Sequence, residues 1–494
     1  MGGATIALRV ISTVAAILLA RVLDPEDFGI VALAQILLTT TNLFSGLGLA
    51  PAVIQSRADS GKVAFQAFIA TAVSGLILFL VILLSTGTFA ELLGNREVAP
   101  VLSWMSAMVL FGALTIVPEA LLQKELLFGR VSATIIVSEM LYLGIALTMA
   151  FTGFGLWSLV YANLARAVTM TTMMWVLCPG WEWLKPKPWD RPLMRDLLSF
   201  GVHSTGGGFI TFFYSIAPDF LVGKWLGAAS LGFYSKAHEF TRRTVDQINN
   251  VIGAVLLPSY AKIQAEPQRL SRAYLKSLRL VSFVTVPVAL GMFVTANEMI
   301  GTLLGEKWLP MVSAFQILAC VSVIKPLSAS TSALFLSLGR PVFNLKAGLV
   351  VTAVLIPLGF LLLGYGIAGV ATAVLAAQIA GFLYNMYQVH TVLPGTASRM
   401  IAAATPALGA SAVMMLGVHL SKEPLLIAGG GAHSLLSLGA MVGIGVVLYA
   451  GVLFLVQRSL VLEVIDLALS RFRSGSGKKK ADDPEPSSQE NKRQ

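Results

Sequence analysis

The sequence predicts an all-α, polytopic membrane protein. About fourteen transmembrane helices are expected, as two six-helix lobes in a parallel pseudo-twofold repeat plus two C-terminal helices. Three observations predict this class. Charged residues are only 12% of the 494 and hydrophobic residues are 56%, with a mean hydropathy of +0.79. That is more apolar surface than a soluble fold of this size can cover. Apolar runs of about 20 residues, the length that crosses a bilayer core, recur between loop signals. None shows the strand-type alternation that a membrane barrel requires.

The runs fall at 4–22, 28–50, 63–86, 100–122, 131–152, 154–178, 199–222, 229–258, 276–297, 309–338, 343–363, 366–390, 399–419 and 434–457. The first lacks a basic n-region and passes into "ARVLDPEDFG" without a cleavage site, so it reads as a retained helix rather than a signal peptide. Residues 1–178 form the expected N-terminal lobe. "PGWEWLKPKPWDRP" (Pro179–Pro192) breaks the apolar pattern and opens a cytoplasmic linker, 179–198, with Trp181, Trp183 and Trp189 expected at headgroup level. Residues 199–390 form the second lobe and 391–457 the last two spans. Residues 458–473 carry apolar positions at helical spacing and predict an amphipathic interfacial helix. The polar stretch 474–494 predicts a disordered cytoplasmic tail.

With the N-terminus inside, the short inner loops hold sixteen Lys and Arg and the outer loops five. The positive-inside rule therefore places both termini in the cytoplasm of a multi-pass inner-membrane protein. The chain also repeats itself. "RVLDPEDFG" (Arg21–Gly29) pairs with "KWLGAASLG" (Lys224–Gly232), "ELLGNREVAP" (Glu91–Pro100) with "TLLGEKWLP" (Thr302–Pro310), and Pro118 with Pro326. An even number of spans separates the copies, so the halves run parallel and enclose a cleft.

Motifs for bound catalysis are missing. No Gly-Lys pair is followed by Ser or Thr in a P-loop frame, and no nucleophile elbow, zincin helix or Cys/His metal spacing occurs. Cys178 and Cys320 sit in separate apolar segments and read as small buried hydrophobes. An enzyme, a metal and an organic cofactor are not expected. The net charge of +10 lies in short loops and the tail, which argues against nucleic acid.

Charges inside the spans are costly, about 2.5–3.5 kcal/mol each at mid-bilayer, so they should face water or one another. The richest stretch is "EFTRRTVDQINN" (Glu239–Asn250). Glu239 and Arg243, and Arg242 and Asp246, are four residues apart and can pair along one helix. Asn249 and Asn250 continue the polar surface. Arg242, Arg243, Lys325, Arg166 and Arg9 are candidates for a cationic cavity, since planar guanidinium groups bind phosphate in a paired fashion. Arg9 is also placed to lie at the cytoplasmic surface. Lys236 is the remaining basic residue inside a span. Glu239, Asp246 and Asp219 would hold the basic groups or carry protons. Gly206, Gly207 and Gly208 weaken their helix and are hinge candidates beside the alternative of close helix packing.

Several stretches resemble the polysaccharide transporter family of the multidrug/oligosaccharidyl-lipid/polysaccharide exporter superfamily, most of all its Wzx-type branch. They are "LARVLDPEDFGIVALA" (Leu19–Ala34), "VPEALLQKELLFGR" (Val117–Arg130), "GFGLWSLV" (Gly153–Val160), "DFLVGKWLGAASLGFYSKA" (Asp219–Ala237), "LLPSYAKIQ" (Leu256–Gln264), "LLGEKWLP" (Leu303–Pro310) and "SLGRP" (Ser337–Pro341), spread over about residues 10–400. The resemblance implies alternating access and a flippase for undecaprenyl-pyrophosphate-linked oligosaccharides in surface polysaccharide synthesis. It further implies membrane lipids, a polymerase and chain-length machinery as partners, and, more distantly, coupling to H+ or Na+. Lipid II flipping and ion-coupled drug antiport are the rival readings within the superfamily. Two departures stand out. The helix before "LARVLDPEDFG" is shorter than the family pattern, which leads one to expect a start further upstream. After "FYSKA", relatives are more apolar, so "HEFTRRTVDQINN" is a candidate for contacts particular to this chain's substrate.

Overall fold

A computed structural model describes the backbone of residues 2–56, 60–428 and 434–458, without the side chains of 2–7, 43, 60, 200, 202–209, 211 and 244–254. The predicted interfacial helix beyond 458 and the tail lie outside the described residues. Among those described there is no strand.

The first half contains α1 (Gly2–Val22), α2 (Pro25–Ser45), α3 (Leu49–Gln55), α4 (Ser60–Leu93), α5 (Val98–Met105), α6 (Ala107–Lys124), α7 (Phe128–Phe151) and α8 (Leu156–Leu177). The second contains α9 (Arg191–Leu226), α10 (Ala228–Lys262), α11 (Pro267–Val294), α12 (Ala296–Leu303), α13 (Val312–Ser337), α14 (Val342–Leu361) and α15 (Gly366–Val392). Then come α16 (Ala397–Leu420), α17 (Lys422–Ala428) and α18 (Leu435–Val456). A helix lies over every expected span. Among the described residues, nine are long and apolar enough to cross a membrane by themselves.

Two expected spans are broken. The run 28–50 stops at Ser45, because Leu47 and Gly48 take left-handed backbone angles, and α3 follows as a separate short helix. The run 100–122 divides at Ser106, whose hydroxyl donates to the Ser103 carbonyl. The linker is shorter than expected. Asp190 caps α9 by accepting from the Leu193 amide at 3.1 Å, and Pro192 occupies the first turn, so the helix starts before residue 199. Trp183 is buried against Phe68 and Trp175, with ring centroids 5.6 and 5.8 Å away. Burial gives its large ring extensive apolar contact. Trp181 and Trp189 are exposed.

The halves meet chiefly where α2 crosses α10, with α9 also touching α2 and α3. At the end that carries the α1–α2 turn, the expected outer end, the contact is reciprocal. A Cβ at Gly29 would overlap the Ala228 carbonyl, and a Cβ at Gly232 would overlap the Pro25 carbonyl. These are the repeat-related glycines, so the pseudo-twofold axis passes between them. Small residues let the two backbones touch, as membrane helices need when no hydrophobic drive separates lipid from protein.

Side chains from each half then secure the other. Arg21 donates from Nε to the Leu303 carbonyl at 2.8 Å and from Nη2 to the Thr302 carbonyl, at the C-terminus of α12. Lys307 donates to the Leu23 carbonyl at 2.7 Å and pairs with Asp24 at 3.2 Å. The buried Trp308 indole donates to the Ala20 carbonyl at 2.7 Å. Each cation faces the negative end of a helix in the opposite half. The C-terminal helices attach through α16 and α18 packing on α11, and through Lys422, which pairs with the buried Glu298 at 3.0 Å.

Candidate functional site: a charged cavity between the halves

Below this contact the halves part around a cavity of about 700 Å³. Its wall draws on α2, α7 and α8 from the first half and on α9, α10, α13, α14 and α15 from the second. Four of the five predicted cations line it: Arg166, Arg242, Arg243 and Lys325. Glu239 and Asp219 line it too. Lys236 is a fifth cation in the wall and Glu139 a third carboxylate.

The groups form three clusters. Glu239 pairs with Arg243 one helical turn on, as its spacing predicts, and with Lys236 one turn back at 2.8 Å. Lys236 is buried, and its ammonium lies 4.1 Å from the centroid of the Phe28 ring. A cation over an aromatic face gains from the ring quadrupole, most when desolvated. Arg243 also reaches the Ser12 carbonyl of α1 at 3.5 Å. The second cluster joins α7 to α8. Arg166 pairs with Glu139 at 3.5 Å, donates to Asn163 Oδ1 at 3.3 Å and lies 5.3 Å from the Tyr142 ring centroid. In the third, Asp219 on α9 lies within electrostatic reach of Arg242 on α10 and Lys325 on α13. The Asp219 Oδ1 atom is buried without a hydrogen-bond partner among the described residues.

Among the described residues of the wall, five basic side chains stand against three carboxylates. The carboxylates hold the basic groups in place at a tolerable desolvation cost, and a wall this rich in guanidinium and ammonium groups offers charge-assisted hydrogen bonds to an anion. Positions 236–243 lie about 12–22 Å along α10 from its start, taking 1.5 Å per residue. The cavity therefore abuts the seal made by Gly29 and Gly232.

Arg9 is on α1, one turn before Ser12, and is not part of the cavity wall. The side chains of Asp246, Asn249 and Asn250 lie outside the described residues, as do those around Gly206, Gly207 and Gly208, although α9 runs as helix through the glycines. Sequence reasoning missed Tyr142, His238, Asn163, Gln35 and Gln378, all in the wall. The signals for the α7–α8 cluster were the charges of Glu139 and Arg166 within apolar spans and two three-residue spacings, Glu139 to Tyr142 and Asn163 to Arg166. Among the described residues, no group of three His, Cys, Asp or Glu could hold a metal ion.

The fold and the site define a multi-pass membrane protein with two repeated halves around a basic cavity. The chain belongs to the polysaccharide biosynthesis protein family, whose model matches residues 18–313. The lipopolysaccharide biosynthesis protein WzxC of Escherichia coli is 22% identical over 399 residues, covering 76% of this chain and 79% of that protein. The succinoglycan biosynthesis transport protein ExoT of Rhizobium meliloti is 26% identical over 295 residues, 59% of this chain and 58% of that one. Among solved structures, the lipid II flippase MurJ in an inward closed conformation superposes with a TM-score of 0.75 at 15% identity, covering 93% of this chain and 99% of that one. An inward-facing multidrug transporter of the MATE family matches with a TM-score of 0.64 at 17% identity, over 78% and 95%. These likenesses confirm the superfamily fold that the loop motifs led one to expect.

Proposed function

We propose that this protein is a flippase that moves undecaprenyl-pyrophosphate-linked oligosaccharide across the bacterial inner membrane for surface polysaccharide synthesis. The carrying observation is the gathering of five basic side chains from three helices, Arg166, Lys236, Arg242, Arg243 and Lys325, in the interlobe cavity among the described residues. In a pyrophosphate diester each phosphorus bears one ionised oxygen, so the ligand would offer two anionic centres to these basic groups. The cavity volume is that of a small-molecule site. It suits the pyrophosphate and adjoining sugar, with the prenyl chain left in lipid. Relatives named for lipopolysaccharide and succinoglycan synthesis support the same pathway.

In this reading Arg242, Arg243, Lys325, Arg166 and Lys236 meet the phosphates. Glu239 and Asp219 release them as substrate arrives, and either carboxylate is a candidate carrier for a coupling H+. Transport proceeds by opening the Gly29–Gly232 contact while the far side closes. Both termini are cytoplasmic, on the distribution of Lys and Arg. A polymerase and chain-length proteins would take the product outside.

The test is binding and export. Arg242→Ala and Arg243→Ala should each weaken binding of a pyrophosphate-linked lipid about tenfold or more, the worth of a charge-assisted hydrogen bond. Normal polymer export by a well-inserted double variant would overturn the assignment. A second reading, lipid II flipping, is favoured by the MurJ-like fold and uses the same charges. Rescue of peptidoglycan synthesis in cells depleted of their own flippase would select it. Drug-cation antiport is disfavoured because every carboxylate in the wall lies beside a basic side chain.

A further inference from the structure

A second cavity, of about 470 Å³, lies on the surface between the start of α11 and the α15–α16 connection. Its wall includes Ser271 and Arg272 from α11 and Gly395, Thr396 and Arg399 around the start of α16. Both arginines are exposed into it, and neither side chain has a hydrogen bond or ion pair among the described residues. Their neighbour Arg269 differs: it pairs with Glu266 at 3.1 Å and does not line the cavity.

The floor is built. Gly395 takes a left-handed backbone, φ +78°, with open space where a side chain would be. This turn sets Thr396 at the head of α16, the position where a hydroxyl normally caps the helix. Its hydroxyl instead bonds Ser271 Oγ at 2.7 Å, stapling the two helices. The first-turn amides of α16 therefore have no side-chain cap. Two guanidinium groups without a carboxylate partner among the described residues, beside one small cavity at the positive end of a helix, suit a phosphate.

We propose that this pocket binds the phosphate group of an anionic membrane lipid. The apolar stretches expected at 276–297 and 399–419 start immediately beyond it, so the site stands at the level of headgroups on the expected cytoplasmic side. The inference does not depend on the substrate assigned to the central cavity.

Native mass spectrometry of the full chain, released from vesicles of phosphatidylethanolamine with or without phosphatidylglycerol, tests it. Arg272→Gln and Arg399→Gln should each reduce retained phosphatidylglycerol about fivefold. Arg269→Gln removes the same charge from the same turn but outside the pocket, and should leave retention unchanged. Retention of phosphatidylethanolamine and elution as a monodisperse species check folding. If inorganic phosphate protects the lipid-free protein against heat in an Arg272- and Arg399-dependent way while phosphatidylglycerol does not bind, the phosphate source is soluble and the lipid assignment fails. Equal losses in Arg269→Gln, or no loss in any variant, overturn the site altogether.

Discussion

Gly29 and Gly232, the last residues of two repeated motifs 203 positions apart, stand back to back where α2 crosses α10, each beside a main-chain carbonyl of the opposite helix. No side chain can turn aside to make room there, so a methyl group must push the helices apart. Gly29→Ala and Gly232→Ala should each cost the closed arrangement about 1–3 kcal/mol, the usual scale of overpacking. That shifts a two-state population by about tenfold. Spin labels at Glu26 and Ala229, near the crossing, should lose their short-distance population in either variant. An unchanged distance distribution would show that the crossing is not a moving contact.

The same end is held by charge. Arg21→Ala and Lys307→Ala each remove a cation from the negative end of a helix, worth about 0.3–1 kcal/mol at an exposed site. Because the two caps are reciprocal but separate, their effects should add in Arg21→Ala/Lys307→Ala. Trp308→Phe should weaken the contact further, since it strands the buried Ala20 carbonyl while keeping the ring. The readout is labelling of a cysteine placed in the cavity wall, from the expected outer side: faster in the double variant than in either single one.

Glu239→Gln takes from Lys236 and Arg243 the carboxylate that they share. Lys236 is buried, so an unpaired ammonium is left there; allowing for the partial exposure of Glu239, the loss should be about 2 kcal/mol. It should appear as a lowered apparent Tm. Glu239→Gln/Lys236→Met should recover most of it, because an apolar side chain replaces the orphaned charge over Phe28. A double variant no more stable than the single would mean that the ion pair is not what holds this region.

Lys422→Ala should behave similarly at the join to the C-terminal helices. It leaves Glu298, 5% exposed, as a buried carboxylate with its basic partner gone. A loss of about 3 kcal/mol is expected, relieved by Glu298→Gln. Protease nicking near α17, compared between variants, checks whether the loss is local.

What the sequence disclosed follows from the range of the interactions. Glu239 and Arg243 are four residues apart on one helix, so their pairing could be read from spacing alone. Lys236 was equally local, yet as a solitary base in an apolar context it carried no hint that it stacks on Phe28 two hundred residues away. The repeat of "DFG" by "SLG" exposed the halves but not that the two glycines touch. Asp219, Arg242 and Lys325 come from three helices, and only packing brings them together. The break at Ser106 has no proline or glycine to announce it, whereas the Asp190 cap and Pro192 at the start of α9 were visible signals that hydropathy alone overrode.

Phe28 has two neighbours of different kinds. On one side its ring carries the Lys236 ammonium of the cavity; on the other it meets the edge of Trp308, 5.6 Å between centroids, whose indole ties the halves together. The next residue is Gly29. A ligand anion that draws Lys236 away from the ring therefore loosens one of the groups bracing the seal. The cavity and the contact between the halves thus share a single aromatic side chain, so a change at one is felt at the other.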